Sequence, residues 1–246
     1  MTKKRRKWYR AIAVVLIAIL FISTNANAAL AAGSSMPNEV YNTYGITVEV
    51  TKLNATESII DFEDSNGGEE YVIYSHGEGT GNYYSETYDK DGNFLNKVIQ
   101  DGNTFTVYDI NGNILAESSF SESDVAEIIE ETETGITPFA YTWVGEPAWS
   151  EGSTHVYQFL ESAVTSLLAA VVAGVFGFPA GSIAYAVIKA ISKKVVDGAF
   201  PIVYYAGWKQ YGWDTGFSII RVDVFFYSGP NQTGYLGDYY GIAPNH

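Results

Sequence analysis

The chain contains no cysteine among its 246 residues. That excludes disulfides, a thiolate nucleophile and thiolate-held metals, so packing, a bound ion or a partner must supply the stability. Basic side chains are scarce, with 14 Lys and Arg against 28 Asp and Glu. Six of those 14 precede Ala28, so the remainder carries 8 basic against 28 acidic residues, a formal net charge of −20. A surface this acidic repels polyanions, and nucleic acid is excluded as an expected partner. Catalytic signatures are lacking too. The three histidines, His76, His155 and His246, form no HExxH pattern, and there is neither a GxSxG elbow nor a phosphate loop. The expectation is a protein that is not an enzyme, with no cofactor, no catalytic residue and no metal site.

What the sequence does have begins at its first residues. MTKKRRKWYR is basic, Ala11 to Ile22 is an apolar run of 12 residues, and Ala26-Asn27-Ala28 supplies small residues at a cleavage position. That order reads as a secretory signal peptide over residues 1–28, with Ala29 or Ala32 as alternative ends. Twelve apolar residues are too few to span a bilayer comfortably. The expected location is secreted and extracellular, bacterial, with cell-surface association as a variant.

Charge divides the rest. Residues 29–135 hold 21 acidic and 3 basic side chains, whereas residues 136–246 hold 7 and 5. The composition turns apolar at the same boundary, which predicts an acidic β-rich region over 29–135 and an α+β domain over 136–246. Within the first, Ile46, Val48 and Val50 alternate as in a strand, and 58–62 and 70–74 read as further strands. Tyr88-Asp89-Lys90-Asp91-Gly92-Asn93 recurs twenty residues later as Tyr108-Asp109-Ile110-Asn111-Gly112-Asn113, with Asp101-Gly102-Asn103 between. Glycine accepts positive φ freely and asparagine tolerates it, so these units predict an antiparallel β-meander of short hairpins. Asp89, Asp91 and Asn93 also have the alternating oxygen spacing that opens a calcium loop, but Gly92 precedes the third ligand and no closing Glu follows. The tandem units resemble repeats in bacterial surface and toxin proteins over a short stretch that implies no function by itself. Ser121 is a candidate cap for a short helix before Glu130, Glu131 and Glu133, with Gly135 and Pro138 ending it.

The second half carries a hydrophobic insert. From Ser162 to Ala184 there are 23 positions without a charge, rich in Ala, Val and Gly. Apolar spacing of three and four predicts one helix from Ser153 to Phe176, and Pro179 separates it from a second over Ala180 to Asp197. Lys189, Lys193 and Lys194 suit the negative end of that second helix. His155 then belongs to a polar cluster at the first helix's start. A helix apolar on nearly every side needs cover. Three kinds remain open: ordinary core, insertion into a target membrane, or an oligomer interface or permanent membrane attachment. After it, Phe217 to Tyr227 reads as a central strand and Tyr235 to Tyr240 as an edge strand.

The expected fold class is therefore α+β, an antiparallel meander followed by a small unit with an Ala/Gly-rich helical hairpin beside a short antiparallel sheet. Its form resembles small exported bacterial proteins with Ala/Gly-rich apolar helices. The leading functional expectation is a secreted interaction or membrane-active protein, bacteriocin-like or toxin-like. The alternative is an extracellular cell-surface binding or structural protein that uses exposed aromatic residues. Candidate contacts with a membrane, cell-surface component or protein partner are Leu168, Val172, Phe176, Phe178, Ile183, Trp208 and Trp213. The two readings differ in the resting state: one needs the hairpin exposed, the other keeps it buried and leaves the aromatics outside.

Overall fold

The computed structural model describes residues 39–43, 45–54, 57–64, 70–77, 82–123, 141–178, 182–214 and 217–244. Residues 1–38, with the expected signal peptide, the acidic stretch 124–140, Pro179 and His246 lie outside the described residues. The class is α+β, a large antiparallel sheet with two packed helices.

Among the described residues, twelve strands follow one another in a single sheet whose spatial order is the chain order. They are β1 (Glu39–Thr43), β2 (Ile46–Asn54), β3 (Glu57–Asp64), β4 (Tyr71–His76), β5 (Tyr84–Asp89), β6 (Phe94–Asp101), β7 (Thr104–Tyr108), β8 (Ile114–Ser123), β9 (Thr142–Val156), β10 (Ile202–Asp214), β11 (Phe217–Gly229) and β12 (Thr233–Pro244). Local chemistry makes consecutive strands neighbours. In the Asp89 turn, Gly92 N–H donates to the Asp89 carbonyl and Gly92 takes φ +82°, a type I turn closed by a left-handed glycine. Asp89 Oδ1 accepts the N–H groups of Asp91 and Asn93 at 2.9 and 2.8 Å, and Oδ2 accepts Asn93 Nδ2 at 2.8 Å. Asp109 repeats the arrangement with Asn111 and Asn113. The register also shifts between Thr87 and Tyr88 and between Val107 and Tyr108, where Leu95 and Leu115 are the extra residues of the partner strands. The YDxxGN unit is thus a hairpin with a bulge, its aspartate occupied by the turn.

The sheet crosses the composition boundary without a break. β8 pairs with β9 from Ala116↔Val156 to Ser123↔Trp149. Two readings change here. Ser121 pairs with Glu151 inside β8 instead of capping a helix. The segment from Ser153 to Val156 is the end of β9, with Thr154 and Val156 buried, and His155 sits opposite Ile202 and Glu117. Alternation over those residues outweighs the three-and-four spacing that starts at Tyr157 and Leu160, and both of these are exposed.

Between β9 and β10 come the helices: α1 (Glu161–Ala170), continued by a π-helical turn over Val171–Val175, and α2 (Ser182–Asp197). All nine residues from Ser162 to Ala170 are buried. α1 packs on β5 to β8, while α2 touches β1 and β2 at one end of the sheet and β12 at the other. The sheet therefore curls about the hairpin until both its ends rest on α2, although β1 and β12 are not paired in the strand order. Inward side chains such as Val48, Ile73, Val107, Val222 and Phe226 form one core with the helices. Small residues allow close approach, as at Gly174, where a Cβ would come within 2.5 Å of the Phe105 ring. Polar contacts fix the register of helix on sheet, with Thr87 and Ser166 hydroxyls 2.7 Å apart in the interior.

The lysines of α2 do more than face its dipole. Lys189 is 1% exposed, ion-paired with Glu161 of α1, and 4.2 Å from the centroid of the Tyr71 ring. Lys193 reaches Asp64 of β3 at 3.3 Å, and Lys194 donates to the Leu236 carbonyl on β12 at 2.6 Å. Three lysines tie α2 to its partner helix and to both halves of the sheet.

Candidate binding face

Strand alternation sorts β9 to β12 into two surfaces. Val203 and Tyr205 on β10, with Ile220, Val222, Val224 and Phe226 on β11, point inward and are buried. The opposite parity faces outward, and the register aligns it in cross-strand rows. One row is Trp149, Trp208, Asp223 and Tyr240; another is Ser153, Tyr204, Tyr227 and Tyr235. Gln210, Arg221 and Ile242 form a third.

A layer of rings and one cation lies on this outer face. The Arg221 guanidinium is 4.2 Å from the centroid of Trp143 and 5.0 Å from that of Trp208. Its Nη2 and Nε donate to Gln210 Oε1 at 2.5 and 3.0 Å. Gln210 Nε2 donates in turn to the Gly145 carbonyl at 2.6 Å. The register between β9 and β10 shifts at Lys209/Tyr211, and Gly145 takes φ +70° beside it. That irregularity, with the bare surface of Gly212 (a Cβ there would stand 2.6 Å from Trp143), lets the Trp143 ring lie across β10. The cation is held by rings and an amide, so no acidic partner is needed to keep it in place. Tyr240 and Ile242 extend the face, 49% and 38% exposed.

Beside the rings, the outer face dips into an open groove of about 570 Å³ under the β11–β12 turn. Its lining includes Ser119, Ser121, Glu151, Ser153, Tyr204 and Tyr227. Burial, with Asp223 and Asp238 nearby, pushes the Tyr227 phenol above its ordinary range. On the far half of the sheet, Glu86 accepts from Tyr84 and Tyr88 at 2.5 Å each. Partial burial and that carboxylate raise both phenols.

The sequence-derived contact residues do not form one site. Leu168, Val172 and Phe176 are fully buried between helices and sheet, and Phe178 is 3% exposed, its ring 5.3 Å from Tyr239. The side chain of Ile183 lies outside the described residues. Trp208 is half-buried in the outer layer, and Trp213 is 53% exposed near the end of β10. Trp143, Trp149, Tyr204, Gln210 and Arg221 join Trp208 only through the register. For Tyr204, Gln210 and Arg221 the signal in the sequence was outward parity on β10 and β11; Trp143 and Trp149, on β9, gave none. Among the described residues, no three His, Asp or Glu side chains converge as metal ligands. No described helix is long and apolar enough to cross a membrane, which leaves β-barrels unaddressed.

Comparison with family models, with curated proteins and with solved structures finds no match to this chain.

Proposed function

We propose that this chain is an extracellular, non-enzymatic binding protein whose outer β9–β12 face takes a cell-surface component. The carrying observation is the layer of Trp143, Arg221 and Trp208, a preformed aromatic platform held in place by Gln210. Aromatic rings fixed before binding lose little entropy on contact and dominate interface energies when they are central. In this reading the finer division of the chain is functional. The acidic strands β1 to β8 supply charge and solubility, the hairpin supplies the core, and β9 to β12 carry the contact face. The basic, apolar and small-residue order of residues 1–28 supports secretion as its route.

Sedimentation with isolated bacterial cell walls tests the platform. Trp208→Ala is expected to weaken wall binding about 30-fold, the effect of losing a central aromatic contact of about 2 kcal/mol. Trp213→Ala, on a ring outside the layer, is expected to leave it within about twofold. Equal binding by wild type and Trp208→Ala, or none by either, refutes the reading.

One observation favours a second reading, a membrane-active protein. α1 and its π-turn carry no charge between Ser162 and Val175, and the sheet around them is held together at α2 and not by β1–β12 pairing. Release of that hairpin into a bilayer is the event this reading requires.

A further inference from the structure

We infer that the groove under the β11–β12 turn is a subsite for a neutral oligosaccharide, an inference that rests on the platform reading and names its ligand class. Charge narrows the choice first. The groove has one carboxylate, Glu151, and no cation among its described lining residues. A phosphate, sulfate or carboxylate ligand would meet uncompensated repulsion there.

Hydrogen-bonding chemistry narrows it again. Ser119 and Ser121 on β8 stand opposite Ser153 and Glu151 on β9 and form a floor of hydroxyls with one strong acceptor. Hydroxyls donate and accept, and an ionised carboxylate accepts from two partners, which suits a ligand that carries many hydroxyls. Asn231 and Gln232 bring amides to the rim from consecutive left-handed conformations, φ +53° and +58°. The Thr233 hydroxyl holds that turn by donating to the Pro230 carbonyl at 2.8 Å.

Rings supply the remaining element. Tyr204 and Tyr227 are paired neighbours on β10 and β11. Their apolar faces suit the C–H faces of a sugar, and their hydroxyls suit its rim. Ala206, 6% exposed, lies between Tyr204 and Trp208 on the same face of β10 and leaves a dip between two rings. Four residues of strand separate those rings by about 13 Å, so a ligand touching both is longer than one sugar. The groove thus leads onto the platform.

Titration calorimetry of the full chain with maltotetraose, cellotetraose, chitotetraose and tetragalacturonate tests the assignment. At least one neutral tetrasaccharide is expected to bind with a micromolar to millimolar Kd, with tetragalacturonate weaker by tenfold or more. Ser121→Trp, which fills the groove from an exposed strand position, is expected to abolish that binding while leaving the thermal midpoint within a few degrees. Ile110→Trp, in a distant exposed turn, is expected to change neither. No binding of any neutral tetrasaccharide, binding that survives Ser121→Trp, or preference for tetragalacturonate overturns the assignment. Wall sedimentation separates the two failures: Trp208-dependent wall binding without tetrasaccharide binding ends the subsite and keeps the platform, whereas loss of both ends both.

Discussion

Glu161→Ala is expected to lower the unfolding free energy by about 3–5 kcal/mol, the cost of removing one partner of a buried ion pair. The Lys189 ammonium is 1% exposed, packed on Tyr71, and paired with Glu161 at the start of α1. Burial penalises a charge heavily unless an opposite charge and hydrogen bonds stand in for water. Removing the carboxylate takes from Lys189 its ion pair with α1, and the Tyr71 ring at 4.2 Å and the Phe62 ring at 6.0 Å replace only part of the lost solvation. The reciprocal change, Lys189→Met, is expected to cost less, because the Glu161 side chain is 18% exposed and recovers solvent. Glu161→Leu combined with Lys189→Met is expected to be closer to neutral than Glu161→Ala alone, since neither charge is left unpaired. Urea unfolding of the three variants measures this. Equal small losses for both single variants would show that the pair contributes little to the core.

The second large effect is Phe176→Ala, expected to cost about 3–5 kcal/mol by cavity formation. Phe176 is fully buried where the π-turn ends, against Gly207 of β10, where a Cβ would stand 3.0 Å from its ring. Gly207 leaves room for the ring and for the close approach of the Asp223 carbonyl, 2.4 Å from the same ideal Cβ. Neither neighbour can collapse into the space the ring leaves. Trp213→Ala removes a larger side chain from a 53% exposed position and is expected to change stability by no more than about 0.5 kcal/mol. A thermal midpoint lowered by roughly 6–20 °C for Phe176→Ala, with little change for Trp213→Ala, is the expected pair of results. Near-equal midpoints would mean that the hairpin is not tightly packed core.

Those two residues show what was legible in the sequence. Local patterns were: the alternation at Ile46, Val48 and Val50, the repeated glycine turns at Gly92 and Gly112, the two-faced strand Phe217 to Tyr227, and two helices in the apolar insert. Each depends on residues within a few positions of one another. Longer-range facts were not. Charge and composition change near residue 135, yet β8 and β9 pair across that boundary, because backbone pairing is indifferent to composition. Ser153-Thr154-His155-Val156 lies next to a helix and is a strand, since β8 and β10 flank it on both sides. Phe176 and Trp213 both read as apolar contact candidates, but only the curl of the sheet distinguishes the one inside. The Trp143–Arg221–Trp208 layer was hidden for the same reason: it depends on a register shift at Lys209 and on two glycines, 145 and 212, none of which periodicity reveals.

The central claim is that the hairpin is permanent core and the outer face makes the contact. Hydrogen–deuterium exchange of the Ser162–Val175 amides, with cell walls or with neutral and anionic vesicles present, tests it most directly. Protection of those amides that is unchanged under every condition, with slowed exchange in β9 and β10 only when walls are added, is the predicted result. Loss of hairpin protection on addition of vesicles would contradict it and make membrane insertion the working function.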